Sequence, residues 1–278
     1  VNAIGAPAAK TASATGLRLG ENGSVTKVAV ILPAAGLGTR MGRPSAETGG
    51  TSRKQFMLLD GSPILAHTVR KFLHSNRVSE VVVSVRADDV EWVNELLRDL
   101  LRKEERTLKV RAVAGGDSRQ QSVENAFASL ADDTELVVVH DAVRPFVDVE
   151  TIDRAIEEAR QHGAAIVGIV PVDTVKQVSG AQATGAKVRT TISRERLVLA
   201  QTPQVFRYEI LKSAFQKARE DGFTGTDESS LVERLESVEI SVVLGSERNL
   251  KITRPGDMEL ARLFLEQDNR RMAAEHAS

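Results

Sequence analysis

Val28-Ala29-Val30-Ile31-Leu32 runs straight into Pro33-Ala34-Ala35-Gly36-Leu37-Gly38-Thr39-Arg40-Met41-Gly42. The first five residues are apolar without alternation. That suits a strand covered on both faces, and therefore a mainly parallel sheet with helices on each side. The next ten are mostly small residues and glycines, with Arg40 among them. In an open α/β sheet ligands bind beyond the carboxyl ends of the strands, so this loop stands where a ligand would lie. Its glycines let backbone N–H groups approach phosphate oxygens with no side chain between. Two commoner glycine motifs do not fit. Gly36, Gly38 and Gly42 give G-x-G-x-x-x-G rather than the dinucleotide fingerprint, and no Lys follows to complete a P-loop.

Outward from this stretch the same strand signal recurs at Val81 to Val85, Leu136 to Val139, Ala165 to Val170 and Ile240 to Leu244. Helical patterns lie between. Val90, Val93, Leu96, Leu97, Leu100 and Leu101 form one face behind Asp88 and Asp89, which can cap the first turn. Ile152, Ala155, Ile156 and Ala159 form a second, with Gly163 placed to stop it, and Ile210, Leu211, Ala214, Phe215 and Ala218 a third. Such alternation predicts a doubly wound α/β sheet. Val172 to Arg194 breaks the rhythm, because polar and apolar residues alternate around Ser179 and Gly180. It reads as a hairpin exposed on at least one face, either a solvated edge or an arm toward another chain.

The bulk numbers exclude several classes. With 278 residues and a net charge of -1, the chain has no general attraction for nucleic acid or an anionic membrane, so an anionic ligand must be held by local cations. The absence of cysteine removes disulfides and thiolate metal sites. No apolar run is long enough for a bilayer, and a cytoplasmic location is expected, with a plastid left open. Residues 1–26, rich in Ala, Gly, Ser and Thr, are expected to be a disordered extension. The catalytic domain is expected over 27–268, with an arm at about 171–195 and a tail at 269–278.

Arg40 in the loop and Lys54 after it bring two cations to the predicted phosphate site. Attack on the α-phosphorus of a nucleotide builds negative charge on the equatorial and leaving oxygens, and fixed cations stabilise it. Arg suits bidentate phosphate contacts and Lys acts as a movable point charge.

Leu32 to Met41 followed by Lys54-Gln55-Phe56 resemble the opening motifs of the 2-C-methyl-D-erythritol 4-phosphate cytidylyltransferases. The likeness continues through Gly115-Gly116-Asp117-Ser118-Arg119-Gln120-Gln121-Ser122-Val123, His140-Asp141-Ala142-Val143-Arg144-Pro145 and Asp173-Thr174-Val175-Lys176. It closes with Gln201-Thr202-Pro203-Gln204, Thr226-Asp227-Glu228 and Asn249-Leu250-Lys251-Ile252-Thr253-Arg254-Pro255, all in the family's order. The resemblance implies a Rossmann-like nucleotidyltransferase domain with a protruding β-arm for homodimerisation. The implied reaction is CMP transfer from CTP to the polyol phosphate, releasing pyrophosphate, with Mg2+ as the divalent cation.

By position, the resemblance implies that Arg40 and Lys54 stabilise the transition state. Pro33, Ala34, Ala35, Gly36 and Gly38 would face the nucleotide, and Gly116, Asp117 and Ser122 the cytosine. Asp141, with Ala142, would hold the ribose, and Asp141 would support a metal held mostly by the triphosphate. Thr174 and Arg194 on the arm would reach the partner subunit's substrate, and Lys251 would grip the same phosphate. Arg144, Thr202 and Thr226 are further substrate-side candidates.

The residue chemistry agrees on a separate point. A phosphate monoester has a second pKa of about 6, so it attacks as a dianion and needs no general base. The five histidines accordingly share no motif; His140 reads as a packed structural residue and His67 as partly exposed and inert. Asp227 and Glu228 read as favourable charges at the start of a Ser229 to Leu235 helix. The stretch Gly42 to Arg53 is longer than many relatives carry and is expected to be mobile without nucleotide. It leaves a choice between Lys54 and Arg53 as the phosphate contact, and the following Gln-Phe favours Lys54. Two rival readings remain: a D-ribitol 5-phosphate cytidylyltransferase, and a catalytically idle nucleotide-binding homologue.

Overall fold

The computed structural model describes residues 26–36, 51, 53–180 and 185–276. Arg40, Gly38, most of Gly42 to Arg53 and the expected N-terminal extension up to residue 25 lie outside the described residues. The strands and helices run β1 (Val28–Pro33), β2 (Leu58–Leu59), β3 (Ser62–Pro63), α1 (Ile64–Leu73), β4 (Glu80–Val85), α2 (Val90–Lys103), β5 (Lys109–Ala114), α3 (Arg119–Phe127) and β6 (Leu136–Val139). They continue with α4 (Val149–His162), β7 (Ala164–Ile169), β8 (Val175–Val178), β9 (Val188–Ile192), β10 (Leu199–Arg207), α5 (Tyr208–Glu220), α6 (Glu228–Val232), β11 (Ser241–Leu244) and α7 (Pro255–His276).

Among these residues a seven-stranded sheet has the order β11-β7-β10-β6-β1-β4-β5. β1 pairs in parallel with β4 and β6, β4 with β5, and β11 with β7. Only β10 runs against its neighbours β6 and β7. The expected mainly parallel α/β sheet is therefore what the chain forms.

The unbroken apolar run of β1 has the use its pattern implied. Val28, Val30 and Leu32 enter one core with α1, α2 and α4, while Ala29 and Ile31 enter the other with α3, α5 and α6. Successive strand side chains point to opposite faces, so a strand buried twice must be apolar throughout. α4 ends where expected: Gly163 has φ +94°, a backbone region that L side chains rarely adopt. A third cluster, Met57, Leu59, Ile64, Val143, Phe146, Ile252, Met258 and Ala261, seats α7 against the loop after β6. The helix α7 is continuous to His276, through residues 269–276.

The expected hairpin is present. β8 and β9 form a separate two-stranded antiparallel sheet, and every residue of β9 is exposed. Two details differ from the sequence reading. Asp89 stands before α2 but makes no side-chain cap, because its carboxylate pairs with Arg53 instead. The strands β5 and β10 carry no clean strand signal and were not anticipated.

Candidate active site

Four segments meet at the carboxyl edge of the sheet: Pro33 to Gly36 after β1, Gly116 to Ser118 after β5, Asp141 to Val143 after β6, and Lys251 after β11. They line a cleft with Lys54, Gln55, Arg119 and Ser122. Of the residues anticipated, the structure brings together Pro33, Ala34, Ala35, Gly36, Lys54, Gly116, Asp117, Ser122, Asp141, Ala142 and Lys251.

Gln55 shapes the first segment. Its side chain is buried and its Nε2 donates to the carbonyls of Ala34, at 2.6 Å, and Gly36, at 2.9 Å. These two bonds, with the Ala34 N–H held by the Ser84 carbonyl at 2.7 Å, fix the path of the backbone after β1. Sequence reading used Gln55 only as a family marker and missed this role.

The second segment is held by Ser122. Its hydroxyl donates toward the Ser118 carbonyl at 2.8 Å and accepts the Gly116 N–H at 3.0 Å. Ser122 is 2 % exposed, so its effect on a base passes through the shape of this turn. A Cβ on Gly116 would stand 2.3 Å from Gln121 Cγ, so only glycine fits there. Asp117 is exposed, and its N–H bonds Gln121 Oε1 at 2.9 Å.

Asp141 carries most of the local charge. Its Oδ2 meets Lys251 Nζ at 3.0 Å and Arg144 Nε at 3.1 Å, and its Oδ1 lies 3.7 Å from Arg119 Nε. Burial alone would raise the carboxyl's pKa, but Lys251, Arg119 and Arg144 overcome this and hold it well below the usual carboxylate range. It is ionised at every working pH.

Behind it lies a neutral chain of hydrogen bonds. The Asp141 N–H donates to Thr202 Oγ1 at 3.0 Å, and Thr202 Oγ1 lies 3.1 Å from His140 Nδ1. His140 Nε2 lies 3.1 Å from the Arg144 carbonyl and donates to it. Burial pushes His140 down to about 4, against the pull of that carbonyl. At neutral pH it is an uncharged strut, in line with the packed role expected for it.

Several anticipated residues lie away from the cleft wall. Arg144 is buried, its Nη1 donating to the Asn249 carbonyl at 2.7 Å, and acts on the cleft through Asp141. Thr202 is 4 % exposed and its hydroxyl is committed to Asp141 and His140. Thr226 is exposed before α6. Thr174 and Arg194 are exposed at the ends of the hairpin, where Arg194 Nη1 donates to the Val172 carbonyl. Within one chain these two do not join the cleft.

Arg53 and Lys54 are placed differently. Arg53 pairs with Asp89 and lies 4.8 Å above the Phe56 ring, and Phe56 makes an edge contact with Trp92 at 4.8 Å. Arg53 is thus tied to α2, whereas Lys54 lines the cleft. Arg119 and Glu228 were not named as site residues from sequence. Glu228 opens α6 as expected, but it is 1 % exposed and accepts from Arg119 Nη1 at 2.8 Å. Asp227 does cap α6, accepting from Ser230 N at 3.0 Å.

The described residues hold no cluster of three metal-ligating side chains. One carboxylate among cations cannot cage an ion alone. A hard divalent cation there would have to take most of its oxygen ligands from water and a bound phosphate, as Mg2+ does.

The model of the family 2-C-methyl-D-erythritol 4-phosphate cytidylyltransferase matches residues 28–267, nearly the whole described chain. The chain belongs to that family. A family member from Solibacter usitatus (strain Ellin6076) is 63% identical over 242 residues, spanning 87% of this chain and 97% of its own length. The enzyme of the same name from Acidobacterium capsulatum is 50% identical over 246 residues, spanning 88% of this chain and all of its own. Among solved structures, 4-diphosphocytidyl-2C-methyl-D-erythritol synthase from Anaerococcus prevotii superposes with a TM-score of 0.70 at 27% identity. That match covers 87% of this chain and 99% of the other. Family membership makes the chain a cytidylyltransferase, and the cleft at the carboxyl edge is its candidate active site. Among the described residues no helix is long and apolar enough to cross a membrane.

Proposed function

We propose that the cleft transfers CMP from CTP to 2-C-methyl-D-erythritol 4-phosphate by direct attack of the substrate phosphate on the α-phosphorus. One bond forms between the attacking phosphate oxygen and the α-phosphorus, and the bond from that phosphorus to the departing pyrophosphate breaks. The observation that carries this reading is the composition of the cleft wall. Among the described residues it offers the Pro33 to Gly36 loop, Lys54, Arg119 and Lys251, and no histidine. His140 is buried behind Asp141 and Ser122 is occupied by its own turn. A dianionic phosphate needs neither.

In this assignment Ala34 to Gly36 cradle the triphosphate, and Lys54 stabilises the charge that develops as pyrophosphate leaves. The family resemblance gives Arg40 the same role, and it lies outside the described residues. Gly116 and Asp117 face cytosine, with Ser122 holding the turn, while Asp141 accepts from the ribose. Lys251 turns from Asp141 to the incoming substrate phosphate. Asp141 is the carboxylate that could help hold Mg2+, which when bound would supply charge neutralisation on the triphosphate. A cytoplasmic setting fits CTP as donor.

The second substrate also draws on a second copy of the chain. An isolated two-stranded hairpin is marginal in water, and here Val172, Val188, Ile192, Val198 and Leu199 are exposed in and beside it. We read this as the face covered by a partner subunit, whose Thr174 and Arg194 equivalents complete the polyol-phosphate site. Thr226, exposed before α6, stands on the substrate side.

Pyrophosphate release from CTP and Mg2+ on addition of 2-C-methyl-D-erythritol 4-phosphate tests the function. Release with D-ribitol 5-phosphate alone would transfer the assignment to the rival substrate, and release with neither would favour an idle homologue. Arg194→Ala is expected to raise KM for the polyol phosphate about tenfold or more, the loss of one charge-assisted contact, while KM for CTP stays within about twofold. A rise confined to CTP would place Arg194 on the nucleotide.

A further inference from the structure

Glu228 is an expensive residue for the fold to keep. Its carboxylate is 1 % exposed, and its Oε2 has no hydrogen-bond partner among the described residues. Buried polar atoms are paired as a rule, and an orphan calls for a reason other than stability. Its remaining oxygen, Oε1, accepts from Arg119 Nη1 at 2.8 Å. Arg119 opens α3 directly after the Gly116 turn and lines the cleft. On its other side Arg119 Nε stops 3.7 Å from Asp141 Oδ1, beyond hydrogen-bond length.

This geometry is a restraint between two carboxylates. Guanidinium and carboxylate left to themselves close into a bidentate pair with contacts of about 2.8 Å. Asp141 Oδ2 is already taken by Arg144 and Lys251. If Arg119 also closed on Oδ1, protein cations would hold both oxygens of Asp141 and about three of its four acceptor positions. We propose that Glu228 holds Arg119 back from Asp141, so that Asp141 keeps an acceptor oxygen for the nucleotide, which makes Glu228 and Arg119 a positioning pair for CTP. The pair rests on the reading of Asp141 as the ribose acceptor, and it deepens that reading. It also joins the Gly116 turn, the Asp141 loop and α6 through one side chain, although Arg119 and Glu228 are far apart in sequence.

The test is the dissociation constant of CTP with Mg2+, measured calorimetrically on the full chain, alongside steady-state kinetics. Glu228→Gln keeps the shape but loses the charge that restrains Arg119. It is expected to weaken CTP about tenfold, at the low end for one charge-assisted hydrogen bond, with kcat at saturating CTP changed less than about twofold. Glu228→Asp keeps the charge and draws Arg119 further from Asp141, so its affinity stays within about twofold of the parent. A residue needed only for packing would suffer more from the lost methylene of Asp than from Gln.

The double variant Glu228→Gln with Arg119→Met is the decisive arm. Without Arg119 nothing is left to close on Oδ1, so the double variant binds CTP more tightly than Glu228→Gln alone. Affinity equal to or below that of Glu228→Gln would overturn the proposal, as would parent-like binding by Glu228→Gln. If Glu228→Gln does not fold, an Asp variant that binds CTP tenfold more weakly than the parent overturns it instead. A parent chain that binds no CTP removes the cytidylyltransferase reading and this inference together, whereas a binding parent with unchanged variants removes the inference alone.

Discussion

Lys54→Ala is expected to lower kcat with 2-C-methyl-D-erythritol 4-phosphate by about 100- to 1,000-fold, the usual cost of removing one preorganised donor from a developing anion. Lys54 begins the short turn after the glycine loop and lines the cleft beside Ala34 to Gly36. The charge it would meet grows as the bond to pyrophosphate breaks, so the loss falls on kcat more than on KM for CTP. Arg53→Ala is the control. Its guanidinium is engaged by Asp89 and the Phe56 ring, so its removal leaves kcat within about threefold, as for other substitutions that act only on loop anchoring. Steady-state kinetics on the two variants side by side checks both. Equal losses would mean that the loop end, rather than the Lys54 ammonium, carries the effect.

The second large effect concerns stability. Asp141→Asn leaves Lys251, Arg119 and Arg144 around a neutral amide. Removing one partner of a buried ionic cluster costs about 3–5 kcal/mol. The lower end is expected here, because Lys251 is partly exposed and can turn to water. At neutral pH that corresponds to a fall in Tm of about 6–12 °C for a domain of this size.

The sign with pH follows from the depressed carboxyl. Asp141 contributes fully above its unfolded pKa of about 3.9, and that contribution is lost as pH falls toward the folded value. The gap in Tm between parent and Asp141→Asn therefore narrows below about pH 4. A gap constant from neutral pH into acid would mean that the cations do not stabilise the ionised form.

The two-sided burial of β1 could be read from sequence because a strand covered on both faces has to be apolar at every position. The same rule hides β5 and β10. β5 lies at the sheet edge, so Lys109 and Arg111 interrupt its apolar residues, and Glu80 pairs with both. β10 contains Pro203 with Gln201, Thr202 and Gln204, a composition that argues against an inner strand. It is tolerated because the pairing with β7 shifts register between Ala200 and Gln204. The buried polar side chains there support Asp141 and Asn249.

The candidate site divides in the same way. Backbone positions such as Ala34 to Gly36 and Gly116 are legible, since glycine and small residues announce a close approach. Arg119 is not, because its partner Glu228 is distant in sequence and nothing local links the two. Thr202 was expected on the substrate side, but its hydroxyl turns inward to Asp141 and His140, a property of packing that no local pattern shows.

Direct transfer leaves no covalent intermediate on the protein. The measurement is the configuration at the α-phosphorus of the product made from an α-thio analogue of CTP of known chirality. One in-line displacement by the substrate phosphate predicts inversion. Retention would require two displacements, and hence a covalent intermediate on the protein, which contradicts direct transfer.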